Sequence, residues 1–208
     1  MARLAGSLWS VPTPQQRERL ATAVAGGLGH VHWDATDGVF AVAGGFSPDT
    51  AAGLADGLAV GSEAHLMMRD PGPELVAWAE LCDLVVVPVE IADWSVALRR
   101  IEAAGAVGAL AVSPGTDLAV VPRGGFPVLV MSVQPGDAGA EFRPGTLDRV
   151  RALAGRGCHP MVGADGGVRG SQLPGLREAG ATWAVSGTSL FNAPDLPGWL
   201  GEARATFG

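Results

Sequence analysis

Histidine and aspartate occupy alternate positions in one short segment, where His30, His32 and Asp34 are each separated by a single residue. In an extended strand, alternate side chains point to the same face, so these side chains could bind one cation or act on one substrate. His65 lies in a second apolar segment, and Asp165 ends a third just before two glycines. Two imidazoles and two carboxylates suit a divalent transition metal, and two carboxylates can also act as a pair of acid–base groups.

The elements that must position these residues are eight short apolar segments, which alternate with amphipathic segments. The predicted strands are Leu4–Trp9, Leu28–Asp34, Ser62–Met67, Asp83–Glu90, Val107–Val112, Pro127–Val133, Met161–Asp165 and Thr182–Gly187. Eight strand–helix units predict a parallel sheet closed as a (β/α)8 TIM barrel, with residues 1–208 forming a single domain. An open doubly wound sheet is the alternative, but the count of eight and the lack of a glycine-rich turn after the first strand favour the barrel.

A barrel predicts that the chemistry-bearing residues meet, because active sites of this fold lie at the C-terminal ends of the strands. Asp34, His65 and Asp165 all lie at or near such ends, and we expect them to form one site with His32. A metal between them would polarise a ketone or hydroxyl oxygen and stabilise an enediolate. The alternative for each histidine is a hydrogen-bonded core residue. We expect that role for His30, one layer deeper in the barrel.

Glycines after the last two strands predict an anion site. Gly166 and Gly167 follow the seventh strand, and Gly187 and Thr188 follow the eighth, where many barrels bind phosphate on backbone amides. Residues 135–139, after the sixth strand, could cover such a site as a lid. Simple turns are the alternative for each loop. His159 precedes the seventh strand, at the opposite end of the barrel, and we expect it to be non-catalytic.

Composition excludes several classes of partner. The 208 residues include 48% hydrophobic residues and carry a net charge of −7, which disfavours nucleic acid and anionic membranes as partners. The two cysteines fit a reduced, cytoplasmic chain, and we find neither a secretory signal nor a membrane-spanning run. Some of the six tryptophans could lie at a subunit contact, with burial in the core as the alternative. We expect a homo-oligomer.

Several motifs, in order along nearly the whole chain, resemble those of the ribulose-phosphate 3-epimerase family. The segments that carry the resemblance are Gly-Ser-Leu-Trp-Ser at 6–10, Val-His-Trp-Asp-Ala-Thr-Asp-Gly at 31–38, Ala-His-Leu-Met at 64–67, Val-Met-Ser-Val-Gln-Pro-Gly at 130–136, Asp-Gly-Gly-Val at 165–168, and Ser-Gly-Thr at 186–188 followed by Phe191. In combination these motifs are specific, although each alone is weak.

The resemblance implies a fold, a metal and a mechanism. His32, Asp34, His65 and Asp165 would hold one divalent metal ion, for which Zn, Fe, Mn and Co are all suitable. Asp34 would take the proton from C3 of a ketose phosphate of the D-ribulose 5-phosphate or D-xylulose 5-phosphate type. Asp165 would return a proton on the opposite face of a cis-enediolate. The residues implied to bind the substrate are Ser7, His65, Met67, Met131, Gly139, Gly166, Gly167, Gly187 and Thr188.

The sequence departs from the family pattern around the substrate. The altered positions are Thr36, Val39 and Pro88, Ser113 after the fifth strand, and Asp137, Ala138, Ala140 and Glu141 in the predicted lid. Acidic residues near a phosphate would repel it unless they face solvent. Three hypotheses therefore remain: this epimerase, a related epimerase or isomerase acting on a different sugar or on a sugar without phosphate, and a non-catalytic ligand-binding barrel.

Overall fold

A computed structural model of the chain describes residues 2–207, so the first and last residues of the predicted 1–208 domain lie outside the described residues. Eight parallel strands pair in sequence order, and the eighth pairs with the first, so the predicted (β/α)8 barrel is confirmed. The strands are β1 (Arg3–Ser7), β2 (His30–Thr36), β3 (Gly61–Met67), β4 (Leu84–Pro88), β5 (Val107–Val112), β6 (Val128–Met131), β7 (Val162–Asp165) and β8 (Trp183–Ser186).

Helices cover the outside of the barrel. They are α1 (Gln16–Ala25), α2 (Pro48–Ala55), α3 (Leu75–Leu81), α4 (Trp94–Ala103), α5 (Thr146–Ala154), α6 (Leu173–Glu178), α7 (Thr188–Phe191) and α8 (Leu196–Phe207). Three short 3-10 turns lie at Thr13–Gln15, Leu118–Val120 and Gly170–Gln172, and the second is the only helical element between β5 and β6 in the part of the chain described. None of the helices within residues 2–207 has the length and apolar character needed to cross a bilayer.

Two hydrophobic cores hold the barrel together. The larger lies between the strands and the helices, and the smaller fills the barrel interior with residues from alternate strand positions. Side chains that alternate along each strand supply both cores, because successive residues point to opposite faces. His32, Glu63 and His65 are polar exceptions in the interior, and each is at most 1% exposed. Buried polar groups of this kind are costly unless hydrogen bonds, ion pairs or a metal ion compensate them.

Most strand boundaries differ from the sequence prediction by one or two residues, and β5 matches it at both ends. Thr13 begins the 3-10 turn at Thr13–Gln15, which has no side-chain cap, and α1 starts at Gln16. Ser47, by contrast, accepts a hydrogen bond from Thr50 N and caps α2. The short helix α7 directly follows β8 and was not predicted. Both cysteines are free thiols, and Cys82 packs in the outer core.

Candidate active site

Four residues converge at the C-terminal end of the barrel interior, and we call them the ligand quartet: His32, Asp34, His65 and Asp165. The register of β2 against β3 pairs Asp34 with His65, so the two side chains start from neighbouring positions. β7 lies three strands from β2 around the ring and contributes Asp165 from the far side. One nitrogen or oxygen atom from each member lies within 4.8 Å of the others. The four residues that the sequence singled out therefore meet in one cluster.

The donor atoms of the quartet suit a divalent cation. Asp34 Oδ1 lies 3.4 Å from His32 Nε2 and 3.7 Å from His65 Nδ1. Asp165 Oδ2 lies 3.9 and 3.6 Å from the same two nitrogens. Both nitrogens are buried and have no hydrogen-bond partner among residues 2–207. A buried polar atom without a partner is costly, and a cation shared by all four residues would satisfy both nitrogens and both carboxylates.

The electrostatics of the quartet favour positive charge at its centre. Burial alone would lower the pKa of His32, but Asp34 and Glu63 raise that pKa well above its ordinary value. Burial would also raise the pKa of Asp34, yet His32 and His65 hold it below its usual range. The charged Asp34 carboxylate therefore attracts either protons or a metal ion to the two imidazoles.

The two carboxylate oxygens of Asp34 face different groups. Oδ1 faces the histidines of the quartet, while Oδ2 accepts a 2.6 Å hydrogen bond from the Ser7 hydroxyl. The Ser7 oxygen in turn accepts from the backbone N–H of Trp9 at 3.3 Å. Ser7 lies at the end of β1, and the contact follows from the pairing of β1 with β2.

A cavity of about 480 Å³ opens above the quartet. Asp34 and Asp165 both lie at its wall, whereas His32 and His65 are buried beneath it. Eight of the nine residues expected to bind substrate line this cavity: Ser7, Met67, Met131, Gly139, Gly166, Gly167, Gly187 and Thr188. The ninth, His65, belongs to the quartet. The volume falls within the range of small-molecule sites.

The loops after β6 and β7 pack directly against each other. Gly167 has a φ of +66°, and a Cβ atom there would lie 2.4 Å from Phe142 N and 2.6 Å from Ala140 O. Only glycine permits both this conformation and this close approach. Gly139 also has a positive φ of +82° and has open space around it. The backbone of both loops is thus exposed to the cavity near Gly187 and Thr188 of the β8 loop.

The positions that depart from the family pattern lie partly at the cavity wall and partly outside the cavity. The Thr36 hydroxyl is directed toward the carbonyl oxygens of Val42 and Gly44, at 2.8 and 3.1 Å, and this side chain does not line the cavity of the described structure. Val39 is 70% exposed and Pro88 is buried at the end of β4. Asp137 stands at the cavity wall, and the exposed Glu141 is not among the lining residues of the described chain.

Sequence reasoning missed two charged residues at the site. Glu63 is fully buried and accepts a 2.7 Å hydrogen bond from His32 Nδ1. Its position two residues before His65 was a usable signal, because that spacing places both on the barrel-interior face. Arg169 follows the Asp-Gly-Gly-Val segment and lines the cavity.

The two remaining histidines lie away from the quartet. His30 lies at the start of β2 next to Gly61 and is only half-buried, so it is not the core residue that we expected. Burial together with Arg3 lowers its pKa. His159 Nδ1 contacts the Phe126 carbonyl oxygen at 3.2 Å, before β7. Neither belongs to the groups that could bind a metal in the described structure.

Solved structures with the same fold extend over almost the whole chain. The 3-hexulose-6-phosphate synthase of Salmonella typhimurium is 14% identical, with a TM-score of 0.78, over 99% of this chain and 98% of that one. A second 3-hexulose-6-phosphate synthase is 18% identical, with a TM-score of 0.72, over 99% of this chain and 100% of the other. These similarities support the barrel fold.

Curated relatives are more informative about the family. Ribulose-phosphate 3-epimerase of Aquifex aeolicus is 26% identical over 93% of this chain and 89% of the relative. Ribulose-phosphate 3-epimerase 2 of Cupriavidus necator is 29% identical over 94% and 87%, and the Escherichia coli enzyme is 28% identical over 97% and 94%. Residues 3–191 match the Ribulose-phosphate 3 epimerase family as a whole. The chain therefore belongs to the ribulose-phosphate 3-epimerase family.

Proposed function

We propose that this protein is a metal-dependent epimerase that inverts C3 of a ketose phosphate of the D-ribulose 5-phosphate or D-xylulose 5-phosphate type. The observation that carries the proposal is the pair of carboxylates, Asp34 and Asp165, which stand at the wall of one cavity above two partnerless imidazole nitrogens. A proton-transfer pair beside a metal site is the arrangement that such an inversion requires.

The carboxylates would carry the proton transfers. Asp34 takes the C3 proton through Oδ2, the oxygen that faces Ser7, and the electrons of the broken C–H bond form a cis-enediolate. Asp165 delivers a proton to C3 from the opposite face, which inverts the carbon. A divalent cation held by the quartet supplies charge neutralisation for the oxygens at C2 and C3.

The rest of the cavity would bind and orient the substrate. Met67 and Met131 are almost fully buried and would cover the reacting carbon with apolar atoms. Backbone amides near Gly139, Gly167, Gly187 and Thr188 would hold the phosphate. Arg169 supports an anionic substrate, because it is the only cation among the cavity-lining side chains of residues 2–207.

A related epimerase or isomerase of a different sugar, with or without phosphate, is the second candidate. Two observations favour it: Thr36 contacts its own loop rather than the cavity, and Asp137 places a negative charge at the wall. Asp137 changes the charge of the cavity wall, Thr36 contributes no side chain to that wall, and both changes leave the quartet unchanged. They are compatible with the same chemistry on a different carbon skeleton.

Solvent deuterium exchange tests the proposal. The protein is loaded separately with Zn²⁺, Fe²⁺, Mn²⁺ and Co²⁺, its metal content is measured, and it is incubated in D2O with D-ribulose 5-phosphate. We expect deuterium at C3 together with formation of the C3 epimer. A panel of other ketopentose and ketohexose phosphates and their free sugars separates the two candidates. No exchange with any of them in metal-loaded protein would refute epimerase activity and favour a non-catalytic barrel.

We further propose that the protein works in the cytoplasm and as a homo-oligomer. Free cysteines support a reducing compartment. Trp33, Trp78 and Trp183 are fully buried in the core and cannot form a subunit contact, whereas the other three tryptophans are half-buried. Light scattering of the purified protein measures its oligomeric state.

A further inference from the structure

Glu63 is a charged residue in the barrel interior that the proposed reaction does not use. It lies on β3 two residues before His65 and is 0% exposed. Its Oε1 accepts hydrogen bonds from His32 Nδ1 at 2.7 Å and from Trp183 Nε1 at 3.0 Å, and its Oε2 accepts from Arg3 at 2.9 Å. A buried carboxylate is stable only when its oxygens are satisfied in this way.

These contacts fix the proton position on His32. A carboxylate accepts hydrogen bonds, whereas the indole and guanidinium groups donate them. Glu63 Oε1 therefore faces an N–H at Nδ1 of His32, and that proton stays on the side away from the quartet. Nε2 of the same ring points to Asp34 Oδ1 and Asp165 Oδ2, at 3.4 and 3.9 Å. Nε2 is thus the atom available to a cation.

The surroundings hold Glu63 in one place. Residue His32 pairs with Glu63 in the β2–β3 register, so the two side chains are direct neighbours in the barrel interior. Trp183 reaches Glu63 from β8 because Gly163, its partner on β7, leaves room for the indole; a Cβ atom at Gly163 would lie 2.8 Å from the indole ring. Arg3 approaches from β1 and balances the carboxylate charge.

We infer that Glu63 is a positioning residue for the metal site, which holds the His32 ring by its Nδ1–H so that Nε2 is directed at the cation, while Arg3 and Trp183 hold Glu63 itself. This inference rests on the proposed function, because it assumes that the quartet binds a metal. Carboxylates that hydrogen-bond a metal-binding histidine typically change metal affinity about 10–100-fold when they are mutated. A purely structural role, as the partner of Arg3 in the barrel interior, would leave metal affinity unchanged once the protein is folded.

Metal affinity of a Glu63→Gln variant distinguishes these roles. The substitution keeps the side-chain size but removes the charge and presents an amide to Arg3. We expect Zn²⁺ and Co²⁺ to bind about 10–100-fold more weakly in competition with a chromogenic chelator. Glu90→Gln is the matched control, because Glu90 also accepts two hydrogen bonds, but from Ser113 N and Thr116 Oγ1, neither of which belongs to the quartet. Its metal affinity should equal that of the wild type.

A second measurement reports on the histidine directly. In nitrogen-15 NMR spectra of the Zn²⁺-loaded protein, we expect His32 to carry its proton on Nδ1 and to coordinate through Nε2. Glu63→Gln should broaden or shift the Nδ1–H signal. Glu63→Asp, which keeps the charge but is one methylene shorter, should recover part of the metal affinity.

If Glu63→Gln does not fold, Arg3→Gln offers a milder test, since the Arg3 side chain is 20% exposed. We expect a few-fold loss of affinity in that variant.

The outcomes separate this inference from the proposed function. Wild-type protein that binds none of the divalent metals would overturn both. Wild-type affinity in the folded Glu63→Gln variant, with an unchanged His32 signal, would overturn the positioning role alone and leave the proposed epimerase intact.

Discussion

The Ser7 hydroxyl donates a 2.6 Å hydrogen bond to Oδ2 of Asp34, although the two residues are 27 positions apart in the sequence. This bond leaves Oδ1 of Asp34 to face the two histidines of the quartet. Ser7 also lines the cavity, so it is placed both to orient the proposed base and to contact a substrate. We therefore expect its removal to affect the rate of the reaction more than the binding of the metal.

Removing the Ser7 hydroxyl should slow turnover. For Ser7→Ala we expect kcat to fall about 10–100-fold, since a hydrogen bond to a charged group contributes roughly 1.5–3 kcal/mol. Metal content should be unchanged, because Oδ1 of Asp34 keeps its position. Steady-state kinetics with measured metal content checks this, and Ser171→Ala, at an exposed serine away from the cavity, is the control. Equal kcat in Ser7→Ala and wild type would contradict the orienting role.

Replacing Asp34 and replacing Asp165 should slow proton exchange from different C3 epimers. If Asp34 and Asp165 serve opposite faces of C3, Asp165→Asn should still exchange the C3 proton of the epimer whose C3–H bond faces Asp34. The same variant should no longer form the other epimer. Asp34→Asn should show the converse. The lost exchange should be slower by at least about 100-fold, the typical contribution of acid–base catalysis.

Exchange from each C3 epimer in D2O measures the effect of both substitutions. The variants are compared at saturating metal, because both residues belong to the quartet. Loss of exchange from both epimers in both metal-loaded variants would argue against separate faces.

Arg169 and Asp137 should have opposite effects on substrate binding. Both are exposed at the cavity wall, and they carry opposite charges. We expect Arg169→Gln to raise the KM of a sugar phosphate about fivefold, which corresponds to roughly 1 kcal/mol for an exposed charge. Asp137→Asn should lower that KM, and neither substitution should change kcat. The differences should shrink at high salt because solvent-exposed charges are screened. If these two residues interact with the phosphate, neither substitution should change the KM of an unphosphorylated sugar.

Asp37 should make the stability of the β2–α2 loop depend on pH. Partial burial would raise its pKa, but backbone N–H groups of Phe40, Val39 and Arg69 lower it overall. Since the folded pKa lies below the unfolded one, the stabilisation is complete above the ordinary aspartate pKa and is lost as the pH falls through the folded pKa.

An Asp37→Asn variant reveals this contribution. We expect it to lower the free energy of unfolding by about 1 kcal/mol at neutral pH, a modest value because the site is exposed to solvent. The difference from wild type should shrink as the pH falls below about 5. Urea unfolding at several pH values measures it, and a difference that grows in acid would contradict the assignment.

The sequence alone determined the elements and the faces on which the chemistry lies. Alternation within β2 places His32 and Asp34 on one side of the strand, because successive side chains point to opposite faces. Eight apolar segments separated by helices specify a parallel barrel, and the barrel collects the strand ends at one site. The sequence is therefore sufficient to identify four candidate metal ligands, His32, Asp34, His65 and Asp165.

Only the tertiary structure decided which of these side chains touch and through which atoms. The register of β2 against β3 brings Glu63 beside His32, and barrel closure brings Trp183 and Arg3 to the same carboxylate. The pairing of β1 with β2 brings the Ser7 hydroxyl to Asp34, whereas local hydrogen bonds direct the Thr36 hydroxyl to its own loop. Periodicity along a strand specifies a face. Contacts across a barrel depend on strand register and on rotamers that the packing of the whole chain selects.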